Sequence, residues 1–388
     1  MRFSRRSDNP AQTGSDFALA MDNAKLRGQV LNDLTLTDPT GWVERAPAER
    51  KALGLLGREE ARFYRPDSQG LLCARQSLAG RHGGLPEDWF LCASTSEAFS
   101  ILFQLLLDPG DMLAVCRPSY PLLDDLARHQ GLRLVDIPLR WHANRWALDI
   151  GVLESRLRQG VRCLALIQPG NPTGWWLSSE EREKLVTLCL RHDCVVICDE
   201  VFANDLHAPG FQSLHDENRI SLFVLGGLSK SLGLPQLKLG WIRSISPDTH
   251  WLAQTSERLS RINDSLLSAS TPVQLALEDL LGLQEALREP LERRCKENLT
   301  YLLTRSQTGW ESISGGGGWC RILRLDGFSE EEVCTRLLQC GTLVQPGYFF
   351  DLPWEAIVVS LLSDPAQFRD GLDVLMHVLE VLRDLNLN

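Results

Sequence analysis

One lysine directly follows an apolar run and lies in a turn rich in glycine and serine. Lys230 belongs to residues 226–233, GGLSKSLG, which come after the apolar residues 221–225, SLFVL. Partial burial lowers the pKa of an amine and frees its lone pair, so this lysine is suited to form a Schiff base with an aldehyde. Because many strand-to-loop junctions carry a lysine, the interpretation depends on the segments upstream.

Two upstream loops place an amide and a carboxylate after further apolar runs. Residues 168–174, QPGNPTG, hold Asn171 between prolines and glycines, which fix the conformation of the loop. Residues 194–200, CVVICDE, bring Asp199 to the end of a buried strand pattern, where a carboxylate needs a partner to offset its desolvation. A structural turn would also explain the first loop, and a structural ion pair the second.

Two more segments could bind an anion and a flat ring. Residues 93–98, ASTSEA, contain Ser94, Thr95 and Ser96 at the start of a helical pattern, where hydroxyls and backbone N–H groups bind anions. Plain N-capping would explain these hydroxyls equally well. Residues 117–121, RPSYP, hold Tyr120 between two prolines, and its ring could stack on a planar ligand or serve only the turn.

The elements that must position these side chains alternate between short apolar runs and helical stretches from about residue 91 to residue 241. This rhythm predicts an α/β fold with a mostly parallel, doubly wound sheet, and ligands bind such sheets at the carboxyl ends of the strands. Strands are predicted for residues 112–116, 132–137, 163–167, 194–198 and 222–225, and helices for residues 99–107, 122–129 and 179–191.

The pattern becomes α+β after about residue 272, which predicts a second, smaller domain. It comprises a helix at 274–303 interrupted near Pro290, a glycine breaker at 315–318, a strand at 319–325, and helices at 330–340 and 366–385. We expect residues 1–47 to form an N-terminal arm and part of the small domain. Residues 48–271 would form the large cofactor-binding domain, and residues 272–388 the inter-domain helix and the small C-terminal domain.

Composition excludes several classes of partner. The 388 residues carry a net charge of −10, which argues against non-specific nucleic-acid binding, and no apolar stretch is long enough to span a bilayer. The first sixteen residues lack the apolar core of a secretory signal and read as a loose tail. Of the eleven cysteines, Cys194 and Cys198 would share one face of a strand, with no turn to gather a metal. We expect no metal site, reduced cysteines and a cytoplasmic location.

Together these segments supply a phosphate site, a stacking ring, a fixed amide, a carboxylate and a reactive lysine. Pyridoxal 5′-phosphate offers the matching groups, namely a phosphate, a pyridine ring, a phenolic oxygen, a ring nitrogen and an aldehyde. From about residue 33 to the C-terminus the chain resembles the fold-type-I, pyridoxal-phosphate-dependent aminotransferases of class I/II. The motifs that carry the resemblance are NPTG at 171–174, DEVF at 199–202, SK at 229–230 and GW at 240–241.

The resemblance implies a role for each of these side chains. Lys230 would form the Schiff base and then move a proton between the substrate Cα and the cofactor. Asp199 would pair with the pyridine nitrogen, Asn171 would bind the 3′-oxygen and Tyr120 would stack on the ring. Phosphate and other cofactor contacts are implied for Ser94, Thr95, Ser96, Ser229 and Lys238, the last in place of a usual arginine.

Tyr64 matches a tyrosine that reaches the phosphate of the neighbouring subunit, so the resemblance implies a homodimer with shared active sites. Three residues depart from the family pattern. Phe202 replaces a tyrosine that donates to the 3′-oxygen, which should raise the pKa of the Schiff base, and Gly227 replaces a phosphate-binding serine. Val358 replaces the arginine that binds the substrate carboxylate.

Arg321 and Arg324 are the substitute candidates for that carboxylate, although both could equally be surface charges on an edge strand. The sequence therefore favours an aminotransferase that acts on a small or apolar amino acid and a 2-oxo acid. A pyridoxal-phosphate-dependent lyase or cyclase, or another enzyme acting at Cα or Cβ, is the first alternative. A non-catalytic module of the same fold is the second.

Overall fold

A computed structural model describes Ser4, Arg6 and residues 16–203, 210–305, 309–313 and 315–386. The tail predicted for residues 1–16 lies outside this part except for Ser4, Arg6 and Asp16. The strands are β1 (Asn32–Asp33), β2 (Trp89–Cys92), β3 (Met112–Arg117), β4 (Arg133–His142), β5 (Arg145–Leu148), β6 (Cys163–Ile167), β7 (Val195–Asp199), β8 (Leu222–Gly227), β9 (Gly240–Ile245), β10 (Trp310–Ile313), β11 (Cys320–Leu325), β12 (Thr342–Leu343), β13 (Gln345–Pro346) and β14 (Ala356–Ser360).

The helices flank these strands in sequence and cover them in space. They are α1 (Asp16–Leu26), α2 (Ala46–Gly54), α3 (Leu72–His82), α4 (Thr95–Leu106), α5 (Leu122–Gln130), α6 (Ile150–Arg158), α7 (Ser179–His192), α8 (Leu228–Ser231), α9 (Thr249–Asp264), α10 (Thr271–Gly282), α11 (Gln284–Thr304), α12 (Glu330–Gln339) and α13 (Pro365–Asn386).

The larger sheet has the strand order β2-β9-β8-β7-β6-β3-β4-β5. Its central strands β8, β7, β6, β3 and β4 run parallel, whereas β9 and β5 run antiparallel to their neighbours. Because β2 pairs antiparallel with β9, it has the same direction as β8. The predicted mostly parallel α/β fold is confirmed, and one edge of the sheet collects the carboxyl ends of β2, β3, β6, β7 and β8.

Apolar packing on both faces of this sheet explains its continuous apolar strands. On β6, Leu164 and Leu166 join one apolar cluster, while Cys163 and Ala165 join the cluster on the opposite face. All eleven cysteines are free, and all but Cys73 and Cys340 are buried. Within the described part of the chain, no helix combines the length and apolarity needed to cross a membrane, and no cluster of acidic, histidine or cysteine side chains could hold a metal ion.

The strand predicted at residues 132–137 is longer in the structure and turns back as a hairpin. β4 continues to His142 and pairs with β5, and the two residues between them, Ala143 and Asn144, have φ of 49° and 60°. Positive φ at both central positions is the conformation that a two-residue hairpin requires. The extension escaped prediction because its residues alternate between buried and exposed instead of forming an apolar run.

The smaller sheet has the order β10-β11-β14-β13, and β1 pairs with β12 beside it. Helices α11, α12 and α13 contribute to its apolar cluster. The interruption predicted near Pro290 is wrong, because α10 ends at Gly282 and α11 continues through Pro290. A proline costs one helical hydrogen bond, and the buried side chains of Leu287 and Leu291 on either side offset that loss.

Candidate active site

The segments that follow β2, β3, β6, β7 and β8 meet at one edge of the larger sheet. The register places Gly240 opposite both Cys92 and Gly227, so the turn after Cys92 and the turn with Lys230 are neighbours. A Cβ atom on Gly240 would lie 2.9 Å from the backbone carbon of Ser94. Glycine is therefore required where β9 passes under the start of α4.

Lys230 lies in the short helix α8, and its amine faces one carbonyl and two aromatic rings. Nζ donates to the Thr37 carbonyl at 3.2 Å. The ring centroids of Trp319 and Phe202 lie 4.9 and 5.9 Å from Nζ, and the two rings meet edge to face. Lys230 is half-buried, and the two rings cover part of its amine.

Asp199 ends β7 as a buried carboxylate, 4% exposed. Its oxygens accept hydrogen bonds from the Val201 N–H at 2.8 Å and from the Thr95 hydroxyl. Burial nevertheless raises the pKa of Asp199 to about 6, against the effect of those hydrogen bonds. No cationic side chain among the described residues pairs with it, so the carboxylate lacks a positive partner that a protonated ring nitrogen would provide.

Asn171 lies in a loop that is hydrogen-bonded to the glycine segment between β10 and β11. Its Oδ1 is buried without a hydrogen-bond partner, and its main-chain carbonyl accepts from the Tyr120 N–H at 2.9 Å. The Gly315 and Gly317 N–H groups donate to the carbonyls of Thr173 and Gly174 at 2.7 and 3.1 Å. An unpaired buried amide atom is costly, so the site favours a ligand with hydrogen-bonding groups.

The approach of the four-glycine segment 315–318 to this loop leaves no space for side chains. A Cβ atom on Gly317 would lie 2.5 Å from the Cβ of Pro169, and one on Gly174 would lie 2.6 Å from the Gly317 carbonyl. The glycine segment, predicted as a breaker, therefore also contacts the loop that follows β6 in the larger sheet. It fixes the loop that carries Asn171.

At the start of α4, the structure is compatible with both N-capping and anion binding by Ser94, Thr95 and Ser96. Ser94 caps the helix, since its Oγ accepts from the Glu97 N–H at 3.2 Å, and the Thr95 hydroxyl is engaged with Asp199. The first N–H groups of a helix have no partner within the helix, so those near Ser96 suit an anion. Lys238, two residues before β9, is exposed, and its φ of 49° is unusual for a residue other than glycine.

Two predicted aromatic residues occupy different surroundings. Tyr120 lies after β3 at the same edge of the larger sheet as Lys230 and is half exposed. Its ring centroid is 6.5 Å from that of Phe350. Tyr64 lies on a surface segment after Arg62 and is 84% exposed. Its side chain is therefore accessible to other molecules.

Both predicted carboxylate-binding arginines have partners within the protein. Arg324 forms an ion pair with Glu311. Arg321 is buried opposite Val359, and its guanidinium donates to the Cys320 carbonyl at 2.7 Å. Val358 is fully buried in an apolar cluster, so no charge occupies that position.

Sequence reasoning missed two groups that contact the amine. The Thr37 carbonyl reaches Lys230 across 193 residues of chain, which no local pattern could indicate. Trp319 was noted only as the beginning of a strand, although a large ring directly after four glycines was the available signal.

The edge therefore fits pyridoxal 5′-phosphate, with an unpaired carboxylate, an unpaired amide, a helix N-terminus and a shielded lysine. Fold and site together define a fold-type-I, pyridoxal-phosphate-dependent enzyme. A family model described as aminotransferase class I and II matches residues 29–372, so the chain belongs to that family. Members of the family use pyridoxal phosphate as their cofactor.

Individual relatives show how far this likeness extends. An alanine aminotransferase of Mycobacterium bovis is 27% identical over 242 residues, which cover 58% of this chain and 54% of that protein. A 1-aminocyclopropane-1-carboxylate synthase of Arabidopsis thaliana is 28% identical over 287 residues, covering 67% and 62%. The chain thus spans about half to two thirds of the curated relatives it matches.

Solved structures of similar fold cover the chain more completely. The alanine aminotransferase from Pyrococcus furiosus superimposes with a TM-score of 0.84, covering 98% of this chain and 100% of that one at 22% identity. At this identity the likeness establishes the fold alone.

Proposed function

We propose that the protein is a pyridoxal-phosphate-dependent aminotransferase that moves an amino group between a small or apolar amino acid and a 2-oxo acid. The observation that carries the proposal is the convergence of Lys230, Asp199 and Asn171 at one sheet edge in a chain of this family. Lysine, carboxylate and amide are the groups that the cofactor needs for attachment, ring protonation and orientation.

When bound, the cofactor supplies an aldehyde that links to amines and a ring that accepts electrons from the substrate Cα. Asp199 holds a proton on the ring nitrogen, because a buried carboxylate stabilises a nearby positive charge. The Lys230 amine would move a proton at the substrate Cα. Asn171 would orient the phenolic oxygen, and Tyr120 would pack against the ring. The proposed phosphate contacts are Ser94, Thr95, Ser96, Ser229 and Lys238.

The proposed substrate class follows from the apolar surroundings of the site. Val358 and Phe350 belong to one buried apolar cluster, and Trp319 stands over the lysine amine. A charged substrate side chain would lose its hydration against such apolar groups, whereas a small or apolar side chain would not. The carboxylate-binding roles of Arg321 and Arg324 stay predictions.

A half-reaction with single amino acids tests the proposed function. The cofactor-loaded protein is mixed with each amino acid in turn, without a 2-oxo acid, while the absorbance of the cofactor is followed. A small or apolar donor should convert the cofactor stoichiometrically to its amino form and release the corresponding 2-oxo acid. The aminotransferase proposal fails if no amino acid produces this conversion.

A lyase or cyclase remains the second candidate, supported by the similarity to a 1-aminocyclopropane-1-carboxylate synthase and by Val358. The same experiment separates the two reactions. A lyase or cyclase would consume the amino acid over many turnovers and return the cofactor to its starting absorbance. A non-catalytic module would show no turnover, and the presence of Lys230 argues against that reading.

Restoring a phenol at position 202 is expected to lower the pKa of the cofactor–lysine linkage. The Phe202 ring lies beside the Lys230 amine. In Phe202→Tyr a donor next to the phenolic oxygen would stabilise its anion, and the pKa should fall by about one unit, the worth of a hydrogen bond to a charged group. A pH titration of the cofactor absorbance measures the shift. Phe328→Tyr, which adds the same hydroxyl to a ring beside Gly309 that has no proposed role in the site, should leave the pKa unchanged.

We also propose a homodimer in which Tyr64 completes the phosphate site of the partner. Support comes from the exposure of Phe63, Tyr64 and Leu72 on neighbouring surface segments. Co-expressed Lys230→Ala and Tyr64→Ala chains should recover up to about a quarter of the wild-type activity, since half of the dimers are mixed and each has one intact site. Activity no higher than that of the better parent would count against shared sites.

Two further proposals complete the account. The division into 1–47, 48–271 and 272–388 is supported by an apolar cluster that joins Leu34 and Trp42 to side chains between residues 291 and 382, and by the pairing of β1 with β12. A cytoplasmic location is supported by eleven free cysteines, because thiols persist in reducing compartments.

A further inference from the structure

Arg45 is a fully buried arginine whose five N–H donors all have acceptors. It is 0% exposed and precedes α2. Nε donates to the Leu287 carbonyl at 3.2 Å, and Nη2 donates to the carbonyls of Leu232 and Gly233, both at 3.0 Å. Nη1 donates to the Pro39 carbonyl and to the Glu49 carboxylate. A guanidinium has five donors in a rigid plane, and here each donor has one acceptor.

Three of the carbonyls that Arg45 binds belong to the two segments that meet at Lys230. Leu232 and Gly233 directly follow α8, and the Gly233 N–H donates to the Lys230 carbonyl at 3.3 Å. Pro39 lies two residues after Thr37, whose carbonyl accepts from the Lys230 amine. The Arg45 side chain therefore connects the end of α8, which carries Lys230, to residues 37–39, which the Lys230 amine contacts.

The chain makes room for this guanidinium at a cost. Gly233 has φ of 63°, and a Cβ atom there would lie 2.7 Å from Nη2 of Arg45. Burial lowers the pKa of Arg45, while Glu49 opposes that shift and balances the charge at 2.7 Å. The remaining carbonyl, that of Leu287, lies in the first turn of α11. The Arg45 guanidinium therefore binds carbonyls of three separate segments.

We propose that Arg45 is a positioning residue. By connecting residues 37–39 to the end of α8, it fixes the position of the Lys230 amine relative to the Thr37 carbonyl. The inference rests on the proposed function, since it assigns Arg45 to the lysine that the cofactor would use. Losing the Arg45 contacts would release the Thr37 carbonyl from the amine. Because that carbonyl stabilises the ammonium form, the pKa of Lys230 would fall.

The test compares Arg45→Lys with Arg75→Lys. Lysine has three donors and cannot serve the five acceptors. Arg75 is a matched control, because it is also buried and donates to the carbonyls of Gly70 and Pro86 at 2.8 and 3.1 Å, in α3. Both variants should lower the midpoint of thermal unfolding.

Only Arg45→Lys should change the lysine itself. In cofactor-free protein, the pKa of Lys230 should fall by about one unit, the worth of a hydrogen bond to a charged group. It is measured from the pH dependence of acetylation at Lys230 by mass spectrometry. The dissociation constant of pyridoxal phosphate should rise about tenfold, because the amine would no longer be held in position for the aldehyde. If both quantities match those of Arg75→Lys, the positioning role is overturned.

A second pair of variants covers the case in which Arg45→Lys does not fold. Gly233→Ala should displace Nη2 of Arg45 and lower the same pKa, whereas Gly110→Ala adds strain at φ of 99° with no neighbour within 4 Å. Equal pKa values in these two variants would overturn the inference. Borohydride fixes the cofactor to its lysine in the wild type, and a label elsewhere than Lys230 would overturn the proposed function instead.

Discussion

Replacing Lys230 with alanine is expected to slow the conversion of an amino-acid donor by at least about 10³-fold, because the variant loses both the covalent attachment and the group that moves the Cα proton. The amine is the one shielded by Trp319 and Phe202 at the sheet edge. Single-turnover absorbance measurements with saturating cofactor give the rate directly.

Lys238→Ala provides the matched control for this variant. Lys238 is an exposed lysine eight positions later, and its proposed role is phosphate binding. Its removal should weaken cofactor affinity but leave the rate of the saturated enzyme within about tenfold of the wild type, because electrostatic contacts to the phosphate act on binding. Equal rate losses in both variants would contradict the role assigned to Lys230.

The second large effect is expected for Asp199→Asn, which removes a charge with almost no change in volume. Without the carboxylate, the ring nitrogen of the bound cofactor loses its cationic form, and the rate should fall by at least about 10²-fold, the worth of one buried charge interaction in a transition state. Steady-state kinetics with saturating cofactor measure this loss.

The same substitution should stabilise the protein when the cofactor is absent. The pKa of Asp199 is raised to about 6 by burial, above its usual 3.8, so the folded state retains a proton that the unfolded state has lost. The free energy of unfolding therefore falls as pH rises from about 4 to about 6, and the penalty above that range is about 3 kcal/mol at 1.36 kcal/mol per unit. Chemical denaturation of cofactor-free protein at pH 4 and pH 8 should show the gain mainly at pH 8.

Glu200→Gln is the control for both readouts of Asp199→Asn. Glu200 is the adjacent buried carboxylate. It accepts hydrogen bonds from the Gln168 amide, the Ser213 hydroxyl and the Leu214 N–H at 2.9, 2.5 and 2.7 Å. Its replacement should disturb stability without a comparable loss of rate. A rate loss as large as that of Asp199→Asn would assign both effects to general damage at the end of β7.

The sequence was sufficient for those parts of the site that depend on short-range patterns. Asp199 ends one apolar strand, and Asn171 and Lys230 lie within four residues of the ends of two others, so the parallel sheet alone brings them to one edge. The mixed α/β architecture follows from the same alternation of strands and helices. These features are local in the chain, and the geometry of a parallel sheet then fixes their neighbours.

Contacts between distant segments were beyond such reasoning. Nothing near Thr37 or Arg45 in sequence indicates that one contacts the lysine amine and the other the end of α8. Pro290 was overestimated as a break, because the packing of α11 offsets a local penalty that the sequence shows in isolation. In each case tertiary contacts across many residues decide the outcome.

The central claim is that Lys230 is the covalent anchor of the cofactor. Borohydride reduction of the protein loaded with pyridoxal phosphate, followed by peptide mass spectrometry, measures this directly. We predict that the mass of the reduced cofactor will appear on the peptide that contains Lys230 and that Lys230→Ala will abolish it. A label on Lys238 or any other lysine, or no label on a protein that binds the cofactor, would contradict the account.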